Sequence, residues 1–334
     1  MNILPDLVAH ADWSKDPKKR WVAVAIRQHD GIYQARAPES VKDARLLLGS
    51  LRDTCQPMGT ILVGFDFPIG IPVVYARRCG INNFLALLPQ LGQGEWLDFF
   101  NPAETADQIN LYRPFYPRKP GGSRRTYLTE RLLEHDNFDD LRRLCEKGYD
   151  GRRAACPLFW TLGGQQVGKA AICGWKEVIQ PAMKNDRAHS LVWPFDGPLS
   201  GLLSQPGSTI LSETYPAEFY PHLDIDLSGK QAHAKASRQP SSGKRSPQSR
   251  RENADVLRTW SQDNGVRLTR DLEEQIQAGF SPNEKGEDPF DALIGLFGML
   301  NILLGKREWE DSLPDEQTRI EGWILGQDCS LSAR

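Results

Sequence analysis

The sequence predicts an α/β protein built on a mixed sheet and interrupted by a long, mainly helical insertion. Three observations predict it. The stretch Thr60-Ile-Leu-Val-Gly-Phe-Asp-Phe-Pro-Ile-Gly-Ile-Pro72 is an unbroken apolar run that ends on one acid and then breaks at prolines. Such a run, bounded by turn residues, reads as a strand buried on both faces, as parallel sheets require. Ahead of it lie short β-prone runs separated by turns. Behind it, residues 73–206 form a connection too long for a simple crossover, with helices of its own.

In order, Leu7-Val-Ala-His-Ala-Asp12, Arg20-Trp-Val-Ala-Val-Ala-Ile-Arg27 and Ile32-Tyr-Gln-Ala-Arg36 read as strands of an antiparallel meander, with turns at Trp13 to Lys19 and His29-Asp-Gly31. Ser40 offers a helix N-cap, with Asp43 three residues later and apolar residues at Val41, Ala44, Leu48, Leu51 and Cys55 in the 3.6-residue period. That helix leads into the strand ending at Asp66. A helix followed by a buried strand is the second half of a crossover, which places the strand parallel to one of the first three. The first is the natural neighbour, and Asp12 and Asp66 then stand side by side at carboxyl ends, where open α/β sheets bind ligands. Asp12 could equally begin a polar loop.

The insertion carries a predicted helix over residues 139–147, another from Gly168 to Met183, and Pro- and Gly-rich turns between them. Gly163-Gly-Gln-Gln-Val-Gly168-Lys169-Ala170 has the spacing of a phosphate-binding loop except at its last position, where Ala170 cannot hold magnesium as Ser or Thr does. It reads as a glycine turn opening a helix, or as a source of polar cleft groups, Gln166 and Lys169 among them. After the insertion, Ser208-Thr-Ile-Leu-Ser-Glu213-Thr-Tyr-Pro216 repeats the design of a β-prone run, an acid and a proline, and puts Glu213 beside Asp66 if the two strands are neighbours.

Residues 228–251 hold seven Lys or Arg and no acid, which predicts a mobile basic loop. It is either a solvated linker or an arm that contacts phosphates through Lys244, Arg245, Arg250 and Arg251. The last strong element, from Asp288-Pro-Phe-Asp291-Ala to Leu304, reads as a helix apolar nearly all round, with Asp288 as N-cap and Pro289 at its first position. Asp288 and Asp291 share a face. Acids there, next to other strand-end acids, are hard to keep ionised without a compensating cation. The domain reading is a core in two parts, 1–72 and 207–334, around the insertion 73–206.

At 334 residues the chain can bury a large core, and 40% hydrophobic with 25% charged residues describes a globular protein without a membrane span. A formal charge of −2 confines any nucleic-acid surface to local patches. Six scattered cysteines, without Cys-x-x-Cys pairs or neighbouring His pairs, read as reduced thiols and not as a zinc site. With no secretory leader pattern at Met1-Asn-Ile-Leu-Pro-Asp, they predict a cytoplasmic location.

Taken in order, the strand ending in Asp12, the meander, the Asp66-Phe-Pro-Ile-Gly-Ile-Pro strand end, the Glu213-Thr-Tyr-Pro segment and the helix opened by Asp291-Ala-Leu resemble the family of predicted ribonuclease H-like nucleases. The Asp288-Pro-Phe-Asp291-Ala pair is similar to the closing helix of Holliday-junction resolvases of that fold. The sequence departs from the family at Trp13, where a small residue is usual after the first acid. The resemblance implies a five-stranded mixed sheet with helices on both faces. It also implies a carboxylate cluster of Asp12, Asp66, Glu213, Asp288 and Asp291 holding two Mg2+ or Mn2+ ions, with Asp12, Asp66, Glu213 and Asp291 catalytic. Hard divalent ions prefer oxygen ligands, and phosphodiester hydrolysis uses two of them about 4 Å apart. The expected function is metal-dependent nuclease action on nucleic acid. The alternatives are a binding module on the same fold or, less favoured, a phosphotransferase, for which the glycines and Thr needed after the first acid are missing.

Overall fold

The computed structural model describes residues 3–135, 137–148, 153–162, 167–227, 243–307, 309 and 313–328. The chain divides into two units: residues 1–66, 203–209 and 214–308 make the first, and 67–202, 210–213 and 309–334 the second. The first boundary thus falls at Asp66 and not at Pro72, and the last residues join the unit that contains the insertion.

The protein is mixed α/β. Eight strands lie among the described residues: β1 (Leu7–Asp12), β2 (Trp21–Arg27), β3 (Tyr33–Ala35), β4 (Glu39–Ser40), β5 (Ile61–Phe65), β6 (Ser190–Val192), β7 (Thr209–Glu213) and β8 (Arg267–Leu268). The expectation of five strands is therefore corrected. β4, β6 and β8 are two or three residues long, too short to leave an alternation in the sequence.

In the first unit the strand order is β5-β1-β2-β3-β8, with β4 beside β2. β1 runs parallel to β5, Leu7 opposite Ile61 and Ala11 opposite Phe65, and antiparallel to β2, Ala9 opposite Val24. Every residue of β1 and β5 is buried, which explains their unbroken apolar character. β2 buries only Ala23 and Ala25.

The closing helix, Glu287–Leu303, packs on β1 and β2 and is buried at every residue from Pro289 onward. Its fit depends on glycine. A Cβ at Gly295 would lie 2.2 Å from the His10 ring, and one at Gly298 would lie 2.1 Å from the Phe219 ring. Asn301, polar within this apolar helix, is satisfied by the Trp260 indole and the His222 carbonyl, and Trp260 stacks on Phe297 with centroids 4.4 Å apart.

Three predicted boundaries move. Ser40 is not an N-cap. It sits in β4 opposite Trp21, and Asp43 caps instead, its carboxylate accepting from the Arg45 N–H at the 3₁₀ turn Ala44–Leu46 before the helix Leu47–Thr54. Asp288 is not an N-cap either. The 3₁₀ turn Glu284–Gly286, capped by Asn283, runs into the helix and places Asp288 in its first turn. Part of the predicted basic loop is regular structure. Residues 228–242 lie outside the described residues, whereas Gly243 to Arg245 form a turn and Pro247–Glu252 a helix capped by Ser246.

In the second unit β6 lies beside β7, with the Trp193 N–H on the Leu211 carbonyl at 2.9 Å. One helical run joins Val167–Gly174, a π turn at Trp175–Ile179 and Gln180–Asn185. It buries Trp175, whose indole N–H donates to the Pro68 carbonyl at 2.7 Å, among Phe84 and Phe99. The helix expected over 139–147 is instead two 3₁₀ turns, Phe138–Leu141 and Leu144–Glu146, because the Arg143 side chain is drawn inward to buried carboxylates. No helix among the described residues is long and apolar enough to cross a membrane.

Candidate functional site: a carboxylate cluster with its own lysine

Asp12 ends β1 and Asp66 follows β5, so the parallel register brings both to the carboxyl end of the sheet. The Asp66 N–H donates to the Ala11 carbonyl at 3.1 Å, which fixes the two strand ends side by side. Trp13 packs edge-on against Phe65 at 5.7 Å, and the Arg20 guanidinium lies 4.5 Å above its ring. The bulky residue after the first acid thus ties β1 to β5 just below the acids.

Asp291 arrives from the first turns of the closing helix, whose position on β1 is set by His10. The His10 Nδ1 lies 3.1 Å from the Ala292 carbonyl, and the ring faces Gly295. Burial lowers the His10 pKa to about 3, so the imidazole is neutral and Nδ1–H is the donor.

Both Asp291 oxygens are engaged: Oδ1 accepts from the Tyr220 hydroxyl and Oδ2 from the Lys244 ammonium. Lys244 also lies 3.5 Å from Glu287, which takes Arg245 on its other oxygen at 3.1 Å. The electrostatics show one field. Burial, then Asp291, Asp66 and Asp288, push the Asp12 carboxyl well above the ordinary range, and Lys244 pulls it down. Burial also raises Asp291, against Lys244 and the Tyr220 hydroxyl. Asp288 is pushed up to about 6, first by burial. Lys244 is itself held firmly protonated because Asp291, Asp12 and Asp66 outweigh its burial.

The first unit therefore gathers Asp12, Asp66, Asp288 and Asp291. The other predicted residues belong to the second unit, lie outside the described residues or are otherwise employed. Glu213 belongs to the second unit, where both its oxygens accept from Arg143 at 2.6 and 2.7 Å and one also takes the Ile69 N–H at 2.7 Å. Lys169 lies in the helical run of the same unit, half-buried, and Gln166 lies outside the described residues. Of the basic arm, Arg250 is fully buried and donates to the carbonyls of Lys244, Gly279, Ser281 and Asn283, so it fastens the turn that carries Lys244 and is not presented to solvent. Arg245 and Arg251 are exposed. Tyr220 and His10 carry no sequence signal that points to Asp291, because their partners are 71 and 282 residues away.

The donor set Asp12, Asp66, Asp288 and Asp291 is all carboxylate oxygen, the chemistry that suits Mg2+ or Mn2+. Among the described residues no three Asp, Glu, His or Cys side chains are arranged to hold a metal ion, and the cation at Asp291 is the Lys244 ammonium. Comparison with protein-family models, curated proteins and solved structures found no match to this chain.

Proposed function

We propose that the chain is a ribonuclease H-like nuclease that hydrolyses phosphodiester bonds with Mg2+ or Mn2+. The observation that carries this is the gathering of Asp12, Asp66, Asp288 and Asp291 at the carboxyl ends of two parallel strands, buried enough that the Asp12 carboxyl is raised by its neighbours. Carboxylates crowded in this way call for a cation, and divalent ions bound there would supply Lewis-acid activation of water and charge stabilisation for phosphodiester hydrolysis. The chain's own residues then have simple parts. Asp12, Asp66 and Asp291 would hold the ion, with Asp288 beside them, and Tyr220 and His10 orient Asp291 and its helix. Exposed Arg245 and Arg251 supply phosphate contacts. The scattered cysteines support a reducing, cytoplasmic setting.

A second reading, a non-catalytic binding module on the same fold, is favoured by one observation: a lysine already answers the charge of Asp291. Offering single- and double-stranded DNA and RNA with Mg2+ or Mn2+ separates the two. Wild-type protein should cleave at least one substrate, and Asp66→Asn should lower that rate by a factor of about 100 or more, about 2.7 kcal/mol of transition-state stabilisation. Equal cleavage by both proteins overturns the assignment, and binding without cleavage by either selects the binding module.

A further inference from the structure

The acid cluster holds a cation that belongs to the chain, and its placement is specific. Lys244 Nζ meets Asp291 Oδ2, and Glu287 lies 3.5 Å away on the same helix. The turn that presents it is fastened: the Lys244 carbonyl accepts from Arg250 Nη1, and the rest of that guanidinium is bound to the carbonyls of Gly279, Ser281 and Asn283, just before the closing helix. Arg250 is thus a buried charge held by neutral carbonyls, and it ties the carbonyl of the lysine to the segment just before the closing helix. The Lys244 side chain is 39% exposed, so its ammonium has a route out to solvent that Asp291, with 4% exposure, lacks.

We propose that Lys244 is a tethered counterion that competes with the divalent metal for Asp291, so that metal enters the cluster only as the ammonium leaves the carboxylate. This rests on the metal-dependent reading of the same site. A lysine and a divalent ion cannot share Asp291 Oδ2 without mutual repulsion, and Tyr220 already takes Oδ1. The contact therefore sets a threshold of metal concentration below which the cluster stays closed by the protein's own charge. Lys244 is not an arm reaching for phosphate in this state.

The test measures Mn2+ binding to the full chain by calorimetry, with no nucleic acid present. Lys244→Met should tighten Mn2+ binding about tenfold, the change that about 1.4 kcal/mol gives, whereas Lys244→Arg, which keeps the charge, should stay near wild type. Asp291→Asn should weaken binding in either background. Amine labelling gives a readout independent of affinity: Lys244 should react faster with an acylating reagent in saturating Mn2+ than in its absence. Unchanged or weaker Mn2+ binding by Lys244→Met, with wild type binding normally, overturns the competition and leaves the metal site standing. Absence of Mn2+ binding in wild type and Lys244→Met alike, with circular dichroism showing both folded, overturns the metal-dependent reading and this inference with it.

Discussion

Asp288 shows what crowding does to a single carboxyl. Burial is the first cause of its pKa of about 6, with Glu287 and Asp291 adding to it and Lys19 and Lys244 opposing. An acid whose folded pKa lies above its unfolded value binds its proton more tightly in the native state. Its ionisation therefore costs stability, nothing below about pH 4 and the full amount above about pH 6, the window between an unfolded Asp and this one. Asp288→Asn should melt higher than wild type at about pH 8 and no higher at about pH 4, with the difference growing between. A difference constant across that range, measured by thermal denaturation, would assign the effect to packing and not to charge.

At the scale of elements, the seat of the closing helix on β1 is the feature most exposed to test. Gly295 allows the helix backbone to approach His10 so closely that the Ala292 carbonyl reaches the imidazole. Gly295→Ala should destabilise the protein by about 1–3 kcal/mol, the usual cost of overpacking a core, and urea midpoints would measure it. A neutral substitution would mean that the helix can shift outward at no cost. Much of this architecture was legible beforehand. β1, β2, β3, β5, β7 and the closing helix show in the sequence as apolar runs ended by turn residues, which are local signals, and the parallel pairing of β5 with β1 followed from the helix between them. The surroundings of the acids were not legible in this way. Lys244 lies 47 residues from Asp291, and Arg143 sits in a run whose spacing reads as a helix until its guanidinium is seen to face Glu213, 70 residues on. Charge pairing across such distances leaves no period in a sequence.

For the molecule as a whole, the two units handle buried charge differently. In the first, burial and then the neighbouring acids raise the Asp12 carboxyl, and burial raises Asp291 against the pull of Lys244. In the second, Arg143 is completely buried and saturated: the carboxylates of Glu146 and Glu213 pair with it, and the carbonyls of Ile69 and Glu321 also accept from its Nη1 at 3.2 and 3.0 Å. The Glu321 carboxylate in turn accepts from the backbone N–H groups of Val73 and Leu144. Removing one partner from such a network leaves an uncompensated buried charge. Arg143→Ala should cost about 3–5 kcal/mol of unfolding free energy, while the double variant Arg143→Met with Glu213→Gln should recover part of that loss. Equilibrium denaturation of the two variants beside wild type tests both statements, and a single variant as stable as wild type would contradict the assignment of Arg143 as the centre of the second unit.

The same arginine imposes an order in time on biosynthesis. Its acceptor on Glu321 is made 178 residues after it. At about 5–20 residues per second, that interval is roughly 10 to 35 s of translation. Its other acceptors, Ile69, Glu146 and Glu213, are all made by the time residue 213 has been added, so the Glu321 carbonyl is the last to join a guanidinium that already has partners. In that interval residues 214–308 of the first unit are synthesised between the parts of the second.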